Sequence, residues 1–347
     1  LDRSQIGGRW YDNDVNKHDA NLFARANWQV TDGLRLFGDL QYRYVSYRTW
    51  GVNDNFVSEE AGMQPIDVDK QYHFFNPRAG VSYTLAERSN FYLSFAIAQK
   101  EPTRSDFTDR YKFAADDSYP SSEKLYDWEL GYAYTAPRLS LGVNLYYMKY
   151  KDQLVPTGMV NDGDDALNVN VPDSYRRGVE LSASWRATGW FTVGANATFA
   201  QNRIENYVDA LKDSPTYGKE LGDRTIAYSP DVIANAFLDF HYRGFEAVLH
   251  TQYVGKQYFT NNENNALSLD AYCVTNLNLA YTFRTRSARS VRLGLLINNL
   301  FNAEYESNGY GYSYMDTWSG PAPVRIDEAF YFPQAPLNVL ANVTVRF

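Results

Sequence analysis

Apolar and polar side chains alternate through most of this chain, which points to a β fold from the outset. The C-terminal segment 337–347 reads LNVLANVTVRF, and its alternate residues Val339, Ala341, Val343 and Val345 lead to Phe347. The residues between them are mostly polar. Because successive side chains of a strand point to opposite faces, this period of two predicts a strand between two unlike environments.

The same alternation recurs in segments 139–147, 191–199 and 271–283. In each segment one set is rich in Leu, Val and aromatic residues, and the other is rich in Asn, Gly, Ser and Thr. The exposed face of a soluble sandwich typically carries Lys and Glu instead. The pattern therefore favours an antiparallel transmembrane barrel, whose strands expose one face to lipid and the other to a polar interior.

About thirteen strands are predicted where the alternation holds. They lie near 18–30, 34–49, 70–85, 90–100, 124–136, 138–152, 174–187, 190–204, 228–242, 244–260, 269–284, 290–305 and 329–347. Tight turns alternate with long loops, the latter at 50–69, 101–123, 153–173, 205–227 and 306–328. Short turns on one rim and long loops on the other are typical of outer-membrane barrels, in which the long loops are external.

The strand count also has a consequence for domain organisation. Bacterial barrels have an even number of strands, so an odd count indicates a portion of a barrel. We therefore expect residues 1–347 to form the C-terminal portion of one barrel, with 1–17 as the end of an external loop.

Composition excludes several classes of function. The net charge of −8 argues against nucleic acid as a partner, because phosphate-binding surfaces need a surplus of Lys and Arg. A single cysteine, Cys273, excludes a disulfide framework and a cysteine-based metal cluster. Aromatic residues make up 16% of the chain, with 29 Tyr, although the mean hydropathy is only −0.49. Tyr-rich composition suits a boundary between lipid and water.

Motifs for catalysis are missing from the sequence. It contains no GxSxG, HExxH, P-loop or CxxC pattern, and GYGY at 309–312 lacks the third glycine of a dinucleotide site. The acidic run 161–165 does not have the spacing of an EF-hand, which favours a solvated loop. We therefore expect no enzymatic activity, no cofactor and no metal site in this chain.

Five stretches resemble the C-terminal part of TonB-dependent outer-membrane receptors, especially those of Bacteroidetes-type bacteria. They are FNPRAGVSYTL at 75–85, FAIAQKEPTRSDFTD at 95–109, SYRRGVELSASW at 174–185, LGLLINNLFNAEYESNGYGY at 293–312 and FPQAPLNVLANVTVRF at 332–347. NNLFNAEY and the closing strand are the most specific of them. The order and spacing of the five stretches extend the resemblance over nearly the whole chain.

The resemblance implies a barrel of 22 strands with a plugged lumen. About nine strands, the plug and the TonB-binding box would then be missing from this sequence. The implied function is active import of a ferric siderophore or a related metal chelate across the outer membrane. The implied partners are outer-membrane lipid, the TonB complex through the missing N-terminal region, and the barrel-assembly machinery, which would recognise Phe347.

Other functions remain open at this point. Cobalamin, haem and oligosaccharide receptors of the same family share these sequence features. A passive porin would lack an upstream plug. A soluble carbohydrate-binding β-protein would bury its Leu, Val and Phe side chains between stacked sheets.

Two external loops contain the candidate ligand-binding residues. Loop 101–123 contains Arg104, Asp106 and Tyr111, and an Arg there suits an anionic chelate. Internal pairing that orders the loop is the alternative. Loop 306–328 contains aromatic residues that could stack on a flat ligand or belong to an interfacial girdle. These residues are Tyr310, Tyr312, Tyr314 and Trp318.

Charged residues on the polar faces of the strands form the second candidate set. By alternation they point into the lumen, where they would contact the plug or one another, or set the selectivity of an open pore. They are Asp39, Arg43, Arg78, Glu129, Glu180, Arg186, Asp239 and Arg292.

Overall fold

The computed structural model describes residues 12–58, 62–108, 119–160 and 166–347. Tyr111 and the acidic run 161–165 lie outside the described residues. No helix within the described ranges is long and apolar enough to cross a membrane.

The described chain is built almost entirely of strands, with one short helix, α1 (Arg104–Thr108). The first eight strands are β1 (Asp12–Gln29), β2 (Leu34–Ser58), β3 (Gly62–Leu85), β4 (Ser89–Lys100), β5 (Glu123–Ala136), β6 (Leu139–Val160), β7 (Ala166–Arg186) and β8 (Phe191–Ile204). The others are β9 (Arg224–Thr225), β10 (Val232–Tyr242), β11 (Phe245–Val254), β12 (Gln257–Tyr258), β13 (Ser268–Leu269), β14 (Tyr272–Phe283), β15 (Ser290–Asn298), β16 (Glu306–Asp316), β17 (Val324–Pro333) and β18 (Asn338–Arg346).

One large sheet contains most of these strands, and its neighbours follow the order of the chain. In the described part of the chain the path is β1-β2-β3-β4-β5-β6-β7-β8-β10-β11-β14-β15-β18, with β9 beside β8. All pairings along the path are antiparallel. Each of the thirteen predicted segments overlaps one strand of this path, which confirms the all-β, up-and-down architecture.

The alternation predicted from the sequence divides the sheet into two faces. Register pairs connect Leu141 with Ala183, Ala183 with Ala195 and Ala195 with Ala236, so one apolar face continues across β6, β7, β8 and β10. Leu141 is 39% exposed and Val345 is 45% exposed. These side chains are not enclosed between stacked sheets, so the structure does not support a soluble sandwich.

Aromatic rings form two bands on the apolar face. Near the long-loop rim, Phe95 contacts Trp128, Trp128 contacts Tyr147, and Tyr147 contacts Tyr175, with ring centroids 5.0, 5.7 and 6.3 Å apart. Near the short-turn rim, the ring of Trp190 lies 5.2 Å from that of Phe240. Paired girdles of this kind flank the apolar band of a transmembrane barrel.

Short connections between strands lie at one rim of the sheet, as predicted. They comprise residues 30–33, 86–88, 137–138, 187–190, 243–244 and 284–289. The two-residue turn between β10 and β11 has positive φ at both positions, 48° at Arg243 and 85° at Gly244. Two left-handed residues match the twist of a tight hairpin.

The predicted loops 50–69 and 153–173 are wrong for most of their length, because they are strand. β2 and β3 remain paired out to Ser58 and Gly62, and β6 and β7 pair out to Val160 and Ala166. Beyond the membrane the two faces no longer meet lipid and lumen, so a strand there needs no strict alternation. Both hairpins therefore project from the long-loop rim.

Three of the predicted strands, 244–260, 290–305 and 329–347, are too long. The segment predicted as one strand over 329–347 belongs partly to β17, which pairs with β16, and partly to β18, which pairs with β15. Gln334 to Leu337 separate the two, and Pro336 lacks the N–H that a continuous ladder needs. Similarly, β15 ends at Asn298 and β11 ends at Val254, short of the predicted 305 and 260.

Candidate functional site at the outer rim

Several structured segments lie at the rim opposite the short turns. One is the loop that contains β12 and β13, residues 255–271, which folds back against β6. Asn261 is fully buried, donates from Nδ2 to the carbonyl of Pro156 at 2.6 Å, and accepts from the N–H of Ala227 at 2.7 Å. Since β6 and β11 are not adjacent in the sheet, these bonds bring distant parts of the rim together.

The hairpin of β16 and β17 packs on this loop through a face of small residues. A Cβ on Gly309 would lie 2.8 Å from the Phe259 ring, and one on Gly311 would lie 2.9 Å from Leu267 Cδ2. The ring of Phe259 also contacts Tyr331, at 5.8 Å between centroids. The absence of side chains at the two glycines is what lets the hairpin approach so closely.

The opposite face of the hairpin is aromatic, and we call it the aromatic face. Tyr310 stacks on Phe330 at 4.8 Å and 15°, and Tyr314 stacks on Trp318 at 6.4 Å and 7°. Trp318 is 75% exposed and Tyr310 is 46% exposed. The structure thus brings together the four aromatic residues that the sequence predicted, on a strand and its turn rather than in a loop. Tyr312 completes the row, 6.3 Å from Phe330.

A carboxylate that sequence reasoning missed holds two of these tyrosines. Glu328 accepts a hydrogen bond from the hydroxyl of Tyr312 at 2.8 Å and another from that of Tyr314 at 3.3 Å. The alternation in β17 could have identified Glu328, since it places Glu328 and Phe330, two residues apart, on one face. Both rings are therefore fixed through their polar ends while their faces remain available for stacking.

In helix α1, Asp106, which was predicted to bind ligand, makes hydrogen bonds within the protein instead. The carboxylate of Asp106 accepts from the N–H and the hydroxyl of Thr103, at 2.7 and 2.6 Å, and from Asn168 Nδ2 at 2.9 Å. Phe107 is buried and stacks on Tyr47 at 5.4 Å. Arg104 is exposed and donates to Asn13 Oδ1. Asp106 thus orders the segment and binds it to β7, which corresponds to the alternative of internal pairing.

Glu101 forms the centre of an ion-pair network just before α1, and the sequence did not single it out. Lys17 Nζ donates to it at 2.8 Å, and Arg43 donates to both of its oxygens at 2.8 and 2.9 Å. Arg43 also pairs with Asp19 at 2.6 Å. Burial raises the pKa of Glu101, but hydrogen bonds from Lys17 and Arg43 outweigh it and leave the pKa below its usual value.

The eight charged residues predicted on the polar faces do lie on one face of the sheet, according to the register. Asp39 is opposite both Arg25 and Arg78, for example. Several of the eight pair with neighbours on that face. The pairs are Arg25 with Asp39 at 3.0 Å, Arg43 with Glu101 at 2.8 Å, Arg292 with Glu246 at 2.5 Å, His241 with Asp239 at 2.5 Å and Asn144 with Glu180 at 3.2 Å.

A concave site on the polar face contains one more residue that the sequence analysis passed over, Arg176. It donates to Ser229 Oγ at 2.9 Å and to Asn202 Oδ1 at 3.3 Å. Together with Glu129 and Glu180 it lines a cavity of about 350 Å³. Its place four residues before Glu180, on the same face of β7, was the signal that could have identified it.

Residues 2–300 match the family described as TonB dependent receptor-like, beta-barrel. This match covers most of the chain. The chain belongs to that family. The family consists of outer-membrane receptors of Gram-negative bacteria, so the protein is an outer-membrane barrel protein and not an enzyme.

Curated relatives of this receptor barrel include pesticin receptors. The chain is 26% identical over 190 residues to the pesticin receptor of Yersinia enterocolitica, a match that covers 54% of this chain and 26% of the relative. The pesticin receptor of Yersinia pestis is 25% identical over the same length. The match thus covers about a quarter of the length of each pesticin receptor.

Solved structures similar to this receptor barrel include two iron-uptake receptors. The ferric yersiniabactin uptake receptor FyuA from Yersinia pestis gives a TM-score of 0.68 at 17% identity, over 96% of this chain and 46% of that one. The ferric-catecholate import receptor Fiu from E. coli gives 0.67 at 18% identity, over 96% and 45%. At these identities the likeness concerns the fold, and the chain spans about half the length of each receptor.

Proposed function

We propose that this chain is the C-terminal portion of the barrel of an active transporter that imports a metal chelate, such as a ferric siderophore. The family supports transport through an outer-membrane receptor. The names of the relatives support the ligand class, since they describe a pesticin receptor, a ferric yersiniabactin uptake receptor and a ferric-catecholate import receptor.

The aromatic face of the β16–β17 hairpin is the observation on which this proposal rests. Its exposed rings, of which Trp318 is 75% exposed, offer flat surfaces at the external rim. Stacking on an aromatic or conjugated chelator gains free energy at little entropic cost, because Glu328 already fixes the rings of Tyr312 and Tyr314. Arg104, which is exposed near the same rim, supplies a cation for an anionic chelate.

Transport then requires binding and movement, and no bond in the ligand has to break. The external segments bind the chelate first. Charged residues of the polar face, Arg176 and Glu180 among them, line the wall along which the ligand would pass or the plug would rest. Energy would come from the TonB complex through a region outside this chain, and the barrel-assembly machinery would recognise Phe347, whose ring is 93% exposed.

Growth and binding assays test this proposal together. In a deletion strain, we expect the full-length receptor to restore growth on one defined ferric chelate, and to do so only when TonB is present. That chelate should quench the fluorescence of the purified receptor, and Trp318→Phe should remove most of the quenching. Trp190→Phe, at the opposite rim, is the matched control and should quench normally.

Each contrary result has a definite meaning. Growth that is independent of iron would overturn the chelate as ligand and turn attention to cobalamin, haem or an oligosaccharide. Restored uptake without TonB would indicate a passive porin. Full quenching in Trp318→Phe would show that the aromatic face is not where the ligand binds.

A further inference from the structure

The two faces of the β16–β17 hairpin differ in charge as well as in shape. Residues 306–333 contain one cation, Arg325, and four carboxylates, those of Glu306, Asp316, Asp327 and Glu328. Alternation places Arg325 and Asp327 on the same face as Gly309, where the two side chains pair at 2.8 Å. Arg325 also donates to Ser313 Oγ at 3.0 Å. The cation of the hairpin is therefore neutralised on the face that packs against the neighbouring loop.

The aromatic face, by contrast, contains carboxylates but no cation of the hairpin. The register places Glu328 opposite Tyr312 on this face. Asp316 lies at the end of the same row, where it accepts from the N–H groups of Trp318 and Ser319, both at 3.0 Å. Neither Lys nor Arg occurs among the hairpin residues that share this face. Two negative charges without a neutralising partner on the hairpin give the aromatic face a negative potential.

The carboxylate of Glu328 has the capacity to accept from a further donor. Its two oxygens each accept one hydroxyl hydrogen bond, from Tyr312 at 2.8 Å and from Tyr314 at 3.3 Å. An ionised carboxylate offers about four acceptor positions, so these two bonds use about half of them. The side chain is only half-buried, so a donor from outside can approach it. A positively charged N–H group would form a charge-assisted hydrogen bond here.

The exposed ring of Trp318 provides the second part of a cation site. Elsewhere, cations of the protein itself lie over aromatic rings, for example Arg48 over Trp50 at 5.4 Å. Within the described ranges no such contact involves Trp318, and a Trp ring attracts cations over its face more strongly than Tyr or Phe does. Tyr314 joins the two parts of the site, because its ring stacks on Trp318 and its hydroxyl donates to Glu328.

We propose that the aromatic face binds a positively charged group on the imported chelate, such as a protonated amine. The rings would attract this group through cation–π contact, and Glu328 would accept a charge-assisted hydrogen bond from it. The inference rests on the proposed function, since it names the charge of the ligand at the site already described. Arg104 lies on α1 and donates to Asn13 rather than to the hairpin, so an anionic metal-binding end of the same ligand would still meet a cation. The preferred ligand is then a chelate of mixed charge with a cationic end.

Two chelates that differ in a single charge test the proposal. One is a ferric tris-hydroxamate with a free primary amine, which is protonated at neutral pH, and the other is the same chelate with the amine acetylated. Quenching of the tryptophan fluorescence of the purified full-length receptor measures the affinity for each. We expect the wild type to bind the cationic chelate about tenfold more tightly than the acetylated one, and added salt to reduce this difference.

The variant Glu328→Gln tests whether this preference arises at the aromatic face. Gln keeps the size of the side chain and an oxygen that accepts from a tyrosine hydroxyl, but it removes the charge. We expect it to lose most of the preference for the cationic chelate, while its affinity for the acetylated chelate stays within about twofold of the wild type. Asp327→Asn is the matched control, because it removes a charge from the opposite face of the same strand and should keep the preference.

Several results would overturn the proposal. Equal affinity of the wild type for the two chelates, or a preference for the acetylated one, would mean that the ligand charge is not read. An equal loss of preference in Asp327→Asn would mean that the aromatic face is not where the charge acts. A Glu328→Gln variant that weakens both chelates alike would show that Glu328 acts only by fixing the tyrosines.

Phenyltrimethylammonium, which contains no metal, separates this inference from the proposed function. Saturation-transfer NMR should detect its binding to the wild type and a much weaker signal with Glu328→Gln. If it binds in this way while neither chelate binds, the cation site stands and the result counts against the chelate as ligand. If it gives the same signal with both proteins, or no signal with either, the cation site is overturned.

Discussion

The helix α1 and the β16–β17 hairpin both lie at the outer rim and both contain predicted ligand-binding residues, yet they use them in opposite ways. At α1, Asp106 is 7% exposed and Phe107 is 3% exposed, and their partners come from the protein itself. On the hairpin, Trp318 is 75% exposed. Charged and aromatic residues in external segments therefore include structural supports as well as binding surfaces, and burial distinguishes the two.

Truncation of one aromatic ring in each region should give the largest contrast. Phe107→Ala removes a ring packed among Tyr47, Ile66 and Val68, and we expect it to lower the free energy of unfolding by about 3–5 kcal/mol. Tyr310→Ala removes a half-exposed ring and should cost about 1 kcal/mol or less. Urea unfolding in lipid vesicles, followed by tryptophan fluorescence, measures both.

Phe107→Leu is the control for this pair, because it keeps most of the buried volume and should lose much less than Phe107→Ala. A similar loss in Phe107→Ala and Tyr310→Ala would mean that the two regions do not differ as the structure indicates. Chelate binding should show the reverse order, with the larger loss in Tyr310→Ala.

The ion-pair network of Glu101 should give the next largest effect. Glu101→Gln removes the charge that Lys17 and Arg43 surround, and charged hydrogen bonds of this kind contribute about 1–3 kcal/mol at neutral pH. The pKa of Glu101 is lower in the folded state than its ordinary value of 4.5. The stabilisation is therefore fully present above pH 4.5 and is lost as pH falls through the lower folded value.

Unfolding of wild type and Glu101→Gln at several pH values checks this sign. The difference in Tm should be largest near neutral pH and should shrink below pH 4.5 as the wild-type carboxylate becomes protonated. A difference that stays constant across this range would show that the network adds no charge-dependent stability. Asp106→Asn, which keeps the size of the side chain, gives a comparison within the same region.

Displacement of the hairpin should have a smaller effect on stability but a clear effect on binding. In Gly311→Ala the new Cβ would lie 2.8 Å from the carbonyl of Glu328 and 3.0 Å from Phe259. We expect this overpacking to cost about 1 kcal/mol and to shift the aromatic face, with weaker chelate quenching of Trp318. Gly320→Ala is the control, since nothing lies within 4 Å of a Cβ there.

The barrel itself was predictable from the sequence because each strand separates lipid from a polar interior, which imposes a strict period of two. The alternation assigned Leu141, Val143 and Leu145, for example, to the apolar face. The prediction was wrong where that constraint ends. Ile66 and Val68, in the extended part of β3, are both buried on the polar face and pack with Phe107 of α1, and no alternation reports such contacts.

The outer rim was predictable only in part, because its contacts join residues far apart in the sequence. The spacing of Tyr310, Tyr312 and Tyr314 by two residues indicated that they share one face. Their partner Phe330 could not be identified without the register of β17 against β16. The bond from Asn168 to Asp106 spans 62 residues. Local spacing cannot reveal such a partner, so the sequence could not show that Asp106 is a structural residue.

The turn that presents Trp318 offers the smallest and most local test of the aromatic face. Hydrogen bonds from Ser319 and from the N–H of Trp318, the latter at 3.0 Å, hold the pKa of Asp316 below its ordinary value of 3.8. The ordered turn is thus favoured above pH 3.8 and weakens as pH falls through the lower folded value.

Asp316→Ala should loosen the stack of Trp318 on Tyr314 at all pH values. The emission attributable to Trp318, taken as wild type minus Trp318→Phe, should then shift toward that of a solvated indole in Asp316→Ala and in acid, while global unfolding stays unchanged. An unchanged emission would mean that stacking alone positions Trp318, and the aromatic face would then keep its shape without the turn.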